Sequence, residues 1–318
     1  MRAMAALLAT VLLAPAFAAD PATAPAGEVP KPAATEPAAS AAPAPPHCTL
    51  MIYATLDMAM DDTGRITVPV AINGTAKDMM VDTGTPYTMI TAQVVHDTKL
   101  KIGFAGGGKY VVGFGGVASF WVAHIDEFGL GKIKINDINL FIEPTYMTAA
   151  GLFGADFMSK FDVELDFARA KLNLIRHENC PGGPDVYWTQ KPYGIIPFEK
   201  DDDQHITVKV TLDGREITAI LDTGAADTVM SLDKASDAFK LDEKSLRKSR
   251  HYPFKTLTIG QVSVANPAIE LVTDKESALM GKDSGDLHMI VGMGVLRRLH
   301  LYISYKEKQI YVTPATQY

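Results

Sequence analysis

The sequence predicts an all-β protein made of two tandem β-barrel lobes related by a pseudo-two-fold axis. Three observations predict this fold. The chain repeats itself at a fixed offset, both copies contain alternating strands joined by two-residue turns, and each copy then continues into a short apolar strand that ends at an Asp-Thr-Gly triplet. At 318 residues the chain is long enough for two such lobes.

The internal repeat is the strongest of these signals. Residues 66–74 (ITVPVAING) align with residues 206–214 (ITVKVTLDG). Without any gap, residues 81–84 (VDTG) then fall on residues 221–224 (LDTG), 140 positions later. A single Asp-Thr-Gly triplet is weak evidence, because all three residue types are common. Two triplets at equivalent places of a repeat indicate a duplicated structural unit.

Each copy has the pattern of a β-hairpin. Asn73-Gly74 and Asp213-Gly214 are strong two-residue turn signals between alternating strands. Farther along, residues 152–158 (LFGADFM) match residues 290–296 (IVGMGVL). We expect a short helix and one closing strand after each of these later motifs.

The repeat predicts where the two acids of the triplets lie. Two copies of one unit tend to pack about a pseudo-two-fold axis, as two identical subunits would, so Asp82 and Asp222 should meet. Neighbouring carboxyl groups share a proton over a wide pH range. The ionised acid can then take a proton from water while the protonated acid polarises a carbonyl, which favours amide hydrolysis. The alternative, in which each Asp only caps a turn, does not explain why both follow an apolar strand.

These motifs resemble those of a known family. The loop ILDTGAADTVM at residues 220–230 resembles the active-site loop of the retropepsins, the retroviral-type aspartic proteases. Phe153-Gly154 and Val291-Gly292 resemble the hydrophobic-hydrophobic-Gly motif that crosses behind that loop. The resemblance covers both repeats. Retroviral enzymes are homodimers with one motif per chain, whereas this chain carries two and resembles a fused dimer, arranged like pepsin.

The resemblance implies an acid protease fold and an aspartic endopeptidase that acts on a polypeptide. A chain that carries both halves of the site is expected to be a monomer. The alternative function is a peptide-binding or scaffolding protein that keeps the fold with little or no turnover. The presence of both acids and both threonines in the triplets argues against that alternative.

Asp82 and Asp222 are the predicted catalytic residues. The neighbouring loop positions are expected to support them, namely Thr83, Gly84, Thr85, Thr223, Gly224 and Ala225. Thr85 differs from its counterpart Ala225. A hydroxyl that donates to Asp82 would favour its ionised form and leave Asp222 as the proton carrier. The alternative is that Thr85 only satisfies its own turn.

A Gly-rich stretch follows the first triplet and has no counterpart after the second, so the resemblance implies a single flap over the substrate. Tyr110, Phe114 and Gly115 are the predicted flap or substrate contacts, although packing is an equal alternative for the two aromatic residues. Asp227 stands where retroviral enzymes commonly have the second of two acids. It is therefore a further candidate for substrate binding.

The N-terminus is typical of an exported bacterial protein. Residues 1–18 have a positive start, an apolar stretch and a small-residue cleavage pattern, as a signal peptide has. Residues 19–47 are rich in Ala and Pro and predict a disordered linker. The lobes are expected at residues 48–178 and 193–318, with an inter-lobe linker at 179–192. We therefore expect a periplasmic or secreted protein without a membrane span in its mature form.

Composition narrows the list of partners and cofactors. The net charge of -7 argues against nucleic acid as a partner, since no broad basic surface is available. The eight His residues are scattered and form no zinc motif, so neither a metal nor a cofactor is expected. Cys48 and Cys180 are the only cysteines, and in an oxidising compartment they form a candidate disulfide. Two free thiols are the alternative.

Overall fold

The computed structural model describes residues 48–112, 118–178, 186–200, 204–273 and 288–315. The strands of the first repeat are β1 (Thr49–Asp57), β2 (Ala59–Met60), β3 (Ile66–Ile72), β4 (Thr75–Val81), β5 (Met89–Thr91), β6 (Lys101–Phe104), β7 (Val111–Val112), β8 (Ala118–Ser119), β9 (Trp121–Leu130), β10 (Ile133–Glu143), β11 (Gly151–Phe153), β12 (Asp162–Asp166) and β13 (Lys171–Glu178).

The strands of the second repeat are β14 (Gly194–Lys200), β15 (Ile206–Leu212), β16 (Arg215–Leu221), β17 (Thr228–Ser231), β18 (Thr256–Ile259), β19 (Val262–Ala265), β20 (Ile269–Val272), β21 (Met289–Val291), β22 (Leu299–Ser304) and β23 (Gln309–Pro314). The helices are α1 (Ala92–Thr98), α2 (Ala155–Met158), α3 (Leu232–Phe239), α4 (Glu243–Ser249) and α5 (Met293–Leu296). The predicted all-β class is confirmed, since strands dominate and the helices are short.

Alternating apolar residues bury one face of the first long strand of each repeat. Every second side chain of β3 is buried, and β15 repeats the pattern. Successive side chains of a strand point to opposite faces, so this alternation turns one face of each strand toward a core. The same hydrophobic core cluster contains buried residues of both repeats.

The first repeat closes into a six-stranded barrel. Its strands pair in the order β3-β4-β11-β5-β10-β9, and β9 pairs back with β3. The second repeat uses the same order, β15-β16-β21-β17-β20, with β18 on β15. There the counterpart of the long strand β10 is split into β19 and β20. Pro267 lies in the gap, where a residue without a backbone N–H interrupts strand pairing.

The turns of both hairpins have the predicted geometry. Asn73 and Gly74 have φ values of 47° and 78°, and Asp213 and Gly214 have φ values of 45° and 81°. Positive φ at both central residues defines the two-residue turn whose twist matches that of the flanking strands. The hairpin prediction is therefore confirmed at both places.

A sheet shared by the two repeats joins them. Its order is β1-β13-β12-β22-β23-β14, with three strands from each repeat, and β12 runs antiparallel to β22 with Glu164 opposite Tyr302. The expectation of one closing strand per repeat is wrong. Each repeat closes with a hairpin, β12–β13 or β22–β23, because a four-residue turn reverses the chain.

Several residues named in the sequence predictions lie at or beyond the ends of the described ranges. Phe114, Gly115 and Cys180 lie outside the described residues, while Cys48 is disulfide-bonded. Trp188, within the predicted inter-lobe linker, is 8% exposed, so this part of the linker is packed against the protein. Over the described residues, every helix is too short or too polar to cross a membrane.

We predict that Gly214→Ala lowers the free energy of unfolding by about 1–2 kcal/mol, the cost of a left-handed backbone for a residue with a Cβ. No heavy atom lies within 4 Å of the position of that Cβ, so the effect isolates backbone strain. Urea denaturation measures it. Gly106→Ala is the matched control, since Gly106 is equally open and has no left-handed φ. Equal losses in both variants would contradict the prediction.

Candidate active site

Each Asp-Thr-Gly loop begins where a buried strand ends. The Asp82 N–H donates to the carbonyl of Phe153 at 3.1 Å, and the Asp222 N–H donates to the carbonyl of Val291 at 3.1 Å. Both acceptors are the last residues of the short strands β11 and β21, which pair with β4 and β16. The two aspartates are 4% and 7% exposed. The fold thus holds both carboxyl groups away from bulk water.

The two threonines bind the loops to each other across the axis. Thr83 Oγ1 donates to the Leu221 carbonyl at 2.7 Å, and Thr223 Oγ1 donates to the Val81 carbonyl at 2.8 Å. Each hydroxyl also accepts the backbone N–H of the opposite threonine at 3.1 Å. Four buried hydrogen bonds therefore fix one loop against the other, as the sequence led us to expect of these threonines.

The glycines allow the loops to approach closely. A Cβ on Gly84 would lie 2.5 Å from the carboxyl carbon of Asp222, and a Cβ on Gly224 would lie 2.4 Å from that of Asp82. Real Cβ contacts are not this short, so any side chain at either position would push the opposite carboxyl group away. Glycine is thus required by close packing at both positions.

The two carboxyl groups are hydrogen-bonded to each other. Burial raises the pKa of both, and the negative charge of Asp222 raises the pKa of Asp82 further. Two buried acids in contact cannot both ionise easily, so the pair holds one proton between them. Such a pair contains a base and an acid side by side.

The surroundings of the two acids are unequal. The Gly84 N–H donates to Asp82 Oδ1 at 2.8 Å. Asp222 Oδ1 accepts two backbone N–H groups, those of Gly224 at 2.8 Å and Ala225 at 3.2 Å. Hydrogen bonds to a carboxylate favour its ionised form. The shared proton therefore resides on Asp82, and Asp222 is the ionised member.

This finding reverses the assignment that the sequence suggested through Thr85. The Thr85 hydroxyl donates to the carbonyl of Tyr87 at 3.5 Å rather than to Asp82. Its backbone carbonyl accepts the N–H of Ala155, which ties Thr85 into the turn before α2. The structure supports the alternative in which Thr85 satisfies its own turn. The difference between the acids comes instead from the additional N–H of Ala225.

Two positive groups at equivalent positions of the repeat also act on the pair. Arg65 and His205 lie 140 residues apart, each just before the first long strand of its copy. The Arg65 charge opposes the rise in the pKa of Asp82, and the His205 charge opposes the rise in the pKa of Asp222. Neither residue was among the predicted site residues, although the same repeat offset places both at equivalent positions.

A second set of hydrogen bonds supports each loop from behind. Thr88 Oγ1 accepts the Gly154 N–H at 3.0 Å, and Thr228 Oγ1 accepts the Gly292 N–H at 3.1 Å. In the first repeat Asp156 Oδ1 additionally accepts the Thr88 N–H and hydroxyl at 2.8 and 2.7 Å. Gly294 stands in the place of Asp156 in the second repeat. The first loop is therefore held by an acid that the second loop lacks.

Two further predicted site residues, Tyr110 and Asp227, are exposed. Tyr110 is half exposed on the segment before β7, and its ring packs on Phe120 with 5.4 Å between centroids. Asp227 is exposed, and its carbonyl lies so close to Gly292 that a Cβ there would be 2.2 Å away. The side chain of Asp227 thus points out of the packed loop, and its predicted role in substrate binding stays a prediction.

A cavity of about 890 Å³ opens on the first repeat. Its wall includes Met80, which precedes Asp82 by two residues on β4, and the residues before β11, at positions 145–150. Arg65 and Asp61 also line it. Neither aspartate of the pair lines this cavity. In the part of the chain that the structure describes, no group of three or more His, Cys, Asp or Glu residues could hold a metal ion.

Two buried aspartates on paired Asp-Thr-Gly loops are the arrangement that the resemblance to aspartic proteases implied. Residues 68–160 match the family described as gag-polyprotein putative aspartyl protease. This part of the chain is therefore similar to the retropepsin-like aspartyl proteases, and the resemblance predicted from the sequence is confirmed there. The match contains Asp82 and Gly154 and ends before the second repeat. No curated protein matches the chain significantly.

We predict that Thr83→Val and Thr223→Val each lower the free energy of unfolding, by about 1–3 kcal/mol for every buried N–H or carbonyl left without a partner. Thr→Ser at the same positions keeps the hydroxyl and should retain most of the stability. Thr75→Val, on an exposed position of β4, is the control. Chemical denaturation compares the variants. A valine variant as stable as the control would contradict the importance of these cross-axis bonds.

The raised pKa of Asp82 predicts a pH-dependent effect of Asp82→Asn. Because the folded pKa lies above the unfolded value, the wild type loses stability as the pH rises through that interval. Asn does not titrate. The free energy of unfolding of the variant, relative to that of the wild type, should therefore increase by an amount on the order of 1 kcal/mol between pH 3.5 and 7. Thermal and urea unfolding at both pH values measure the difference. A difference that is constant with pH would contradict the raised pKa.

Proposed function

We propose that this protein is an aspartic endopeptidase that hydrolyses peptide bonds in exported or cell-envelope proteins. The observation that carries the proposal is the pair of buried carboxyl groups, Asp82 and Asp222, hydrogen-bonded to each other on two interlocked loops. A pair of acids that shares one proton supplies both the base and the acid that water-mediated hydrolysis of an amide needs.

The unequal surroundings assign a role to each acid. Ionised Asp222 takes a proton from a water molecule, and the resulting hydroxide attacks the carbonyl carbon of the peptide bond. Protonated Asp82 donates its proton to the carbonyl oxygen as the tetrahedral intermediate forms. Collapse of the intermediate breaks the C–N bond, the leaving nitrogen takes the proton held by Asp222, and Asp82 regains its own. Both acids therefore end the cycle as they began it.

Apolar surfaces on the two sides of the pair support a polypeptide substrate with apolar residues near the cleaved bond. Met80, Met89, Val111 and Leu152 form a buried cluster in the first repeat. Ile220, Val272 and Ile290 form the corresponding cluster in the second repeat. Met80 and Ile220 each precede a catalytic aspartate by two residues, so the two clusters flank the loops. Two of the four residues of the first cluster are methionines, whose flexible side chains adapt to varied neighbours.

Export is supported by two features. Residues 1–18 have the pattern of a signal peptide, and residues 19–47 have the composition of a flexible tether. Cys48 is disulfide-bonded, a state that persists in oxidising compartments. We therefore place the protein in the periplasm or outside the cell. One chain supplies both aspartates, so the proposed enzyme works as a monomer.

We predict that cleavage of a mixed peptide library is inhibited by pepstatin and falls by about 10²–10⁴-fold in Asp82→Asn and Asp222→Asn, because each removes one partner of the acid–base pair. Mass spectrometry of the digest across acidic and neutral pH measures it. The control is Asp137→Asn, which alters a carboxylate on a side chain 89% exposed and should cleave as the wild type does.

The same experiment tests the rival function. If wild type and both aspartate variants leave the library uncut but bind the same peptides, the protein is a peptide-binding module that retains the fold. If all variants cleave equally, a different site carries the activity and the proposed roles of Asp82 and Asp222 are wrong.

A further inference from the structure

A buried polar layer covers the outer face of the inter-lobe sheet. On β12 the side chains of Val163 and Leu165 enter the hydrophobic core, so the intervening acids turn to the other face. These acids are Asp162, Glu164 and Asp166, which are only 2–4% exposed. Burying carboxylates is costly unless they are paired. The partners come largely from the other repeat, across the β12–β22 junction.

His300 of the second repeat lies between two acids of the first repeat. Its Nε2 is 2.8 Å from Glu164 Oε1, and its Nδ1 is 3.9 Å from Asp166 Oδ1. The imidazole is 2% exposed. Asp166 also pairs with Arg169, at 3.1 Å. Both ring nitrogens of His300 thus face carboxylates that belong to the opposite lobe.

His177 of the first repeat has a similar position at the other end of the layer. Its Nδ1 hydrogen-bonds to Asp162, and its Nε2 is 3.3 Å from Glu307 Oε1, in the turn between β22 and β23. Tyr302 donates to Asp162 at 2.9 Å, and Tyr311 donates to Glu307 at 3.2 Å. The His177–Glu307 and Tyr302–Asp162 contacts each join the two lobes.

The inter-lobe linker covers the His300 end of this layer. The ring of Trp188 stacks on that of His300, with 4.5 Å between centroids and an angle of 4°. Trp188 Nε1 donates to Thr313 Oγ1 at 3.2 Å, and the Tyr187 hydroxyl donates to Glu164. The same linker segment therefore shields the histidine and adds a donor to its carboxylate partner.

The hydrogen-bond chemistry of imidazole makes these contacts depend on protonation. A neutral imidazole carries one N–H and can donate to only one carboxylate, whereas an imidazolium donates from both nitrogens. Histidine changes charge between about pH 5 and 8. On deprotonation, His177 and His300 would each lose one N–H donor and the positive charge that faces the buried carboxylates of β12, which weakens this pairing.

We propose that His177 and His300 are positioning residues that, as imidazolium ions, clasp the two lobes and thereby hold Asp82 and Asp222 in register. The clasp closes in mildly acidic solution and loosens as the pH rises through the range in which the histidines lose their protons. The effect on catalysis rests on the proposed function, whereas the effect on the lobes does not.

Other charged groups near the clasp set its limits. Burial alone would raise the pKa of Glu164, but hydrogen bonds from His300, Tyr187 and Asn173 outweigh it and hold the pKa below its usual range. Glu164 therefore stays ionised in mildly acidic solution. It is protonated only at a pH below the pKa of an ordinary Glu side chain. Beside His177, a cavity of about 280 Å³ is lined by further charged residues, namely Lys160, Arg176, Glu178 and Lys306.

Trp188 is a built-in reporter of the clasp. The chain has two tryptophans, so Trp121→Phe leaves Trp188 as the single indole. Protonated imidazole in contact with indole quenches its fluorescence. Emission of this variant should therefore rise as the pH increases from 5 to 8, and His300→Gln should abolish the rise. Emission that is flat with pH in the single-tryptophan protein would overturn the proposal for His300.

Thermal unfolding between pH 5 and 8 tests the coupling of the lobes. We expect the midpoint of the wild type to fall by roughly 2–4 °C or more over this range, as loss of one cross-lobe contact would cause. Glu307→Gln, at a partly exposed turn, is a mild variant that should fold and should reduce this slope. The matched control is His96→Gln, which removes a surface His–Asp pair with the His side chain 85% exposed and should leave the slope unchanged.

The pH profile of peptide cleavage then connects the clasp to the catalytic pair. On the neutral side of the pH profile, the activity of Glu307→Gln should fall at a lower pH than the activity of the wild type does. The acidic side of the profile should be unchanged. If the fluorescence and unfolding slopes are present but no cleavage occurs, the clasp stands and the proposed function fails. If cleavage occurs and both slopes are absent, the proposed function stands and the clasp is refuted.

Discussion

The need to bury two carboxyl groups side by side governs much of this structure. Each acid alone would be destabilised by loss of water, and each raises the cost of ionising the other. Hydrogen-bond donors close to the two acids offset this cost. Backbone N–H groups of the two loops reach the acids, and the crossed threonine bonds prevent the loops from separating. Gly84 and Gly224 remove the side chains that would keep the carboxyl groups apart.

Duplication within one chain frees the two halves to differ. A symmetric homodimer must place identical residues on both sides of its axis. Here Asp156 supports the first loop and Gly294 stands in its place in the second, while Ala225 adds an N–H to Asp222. These differences locate the shared proton on Asp82. The two acids of the pair therefore have unequal surroundings within one chain.

The sheet shared by the two repeats maintains the contact between the two loops. The loops meet only if the two lobes keep a constant orientation, and β12 and β22 provide the direct strand pairing between the repeats. One face of this sheet joins the hydrophobic core and the other bears a buried layer of acids and histidines. Apolar burial gives stability that varies little with pH, whereas paired charges give stability that does vary. The same sheet can therefore hold the site together and respond to acidity.

Much of the fold and the centre of the site could be predicted from the repeat. The offset of 140 residues placed both aspartates and both threonines, because equivalent loops of a duplicated unit face each other. The turns at Gly74 and Gly214 were predictable for a local reason, since positive φ at both turn positions selects Asn, Asp and Gly.

The role of Thr85, the closing hairpins and the position of Trp188 could not be predicted from the sequence. They depend on contacts between residues that are distant in the chain and share no pattern. The role of Thr85 could not be read from its type, since a hydroxyl satisfies whichever acceptor the fold brings near. The closing hairpins and the docking of Trp188 on His300 likewise depend on how the two lobes pack. The periodicity of the repeat was sufficient to predict which two acids meet. The location of the shared proton was not predictable, because it depends on individual hydrogen bonds within a few ångströms of each carboxyl group in the folded protein.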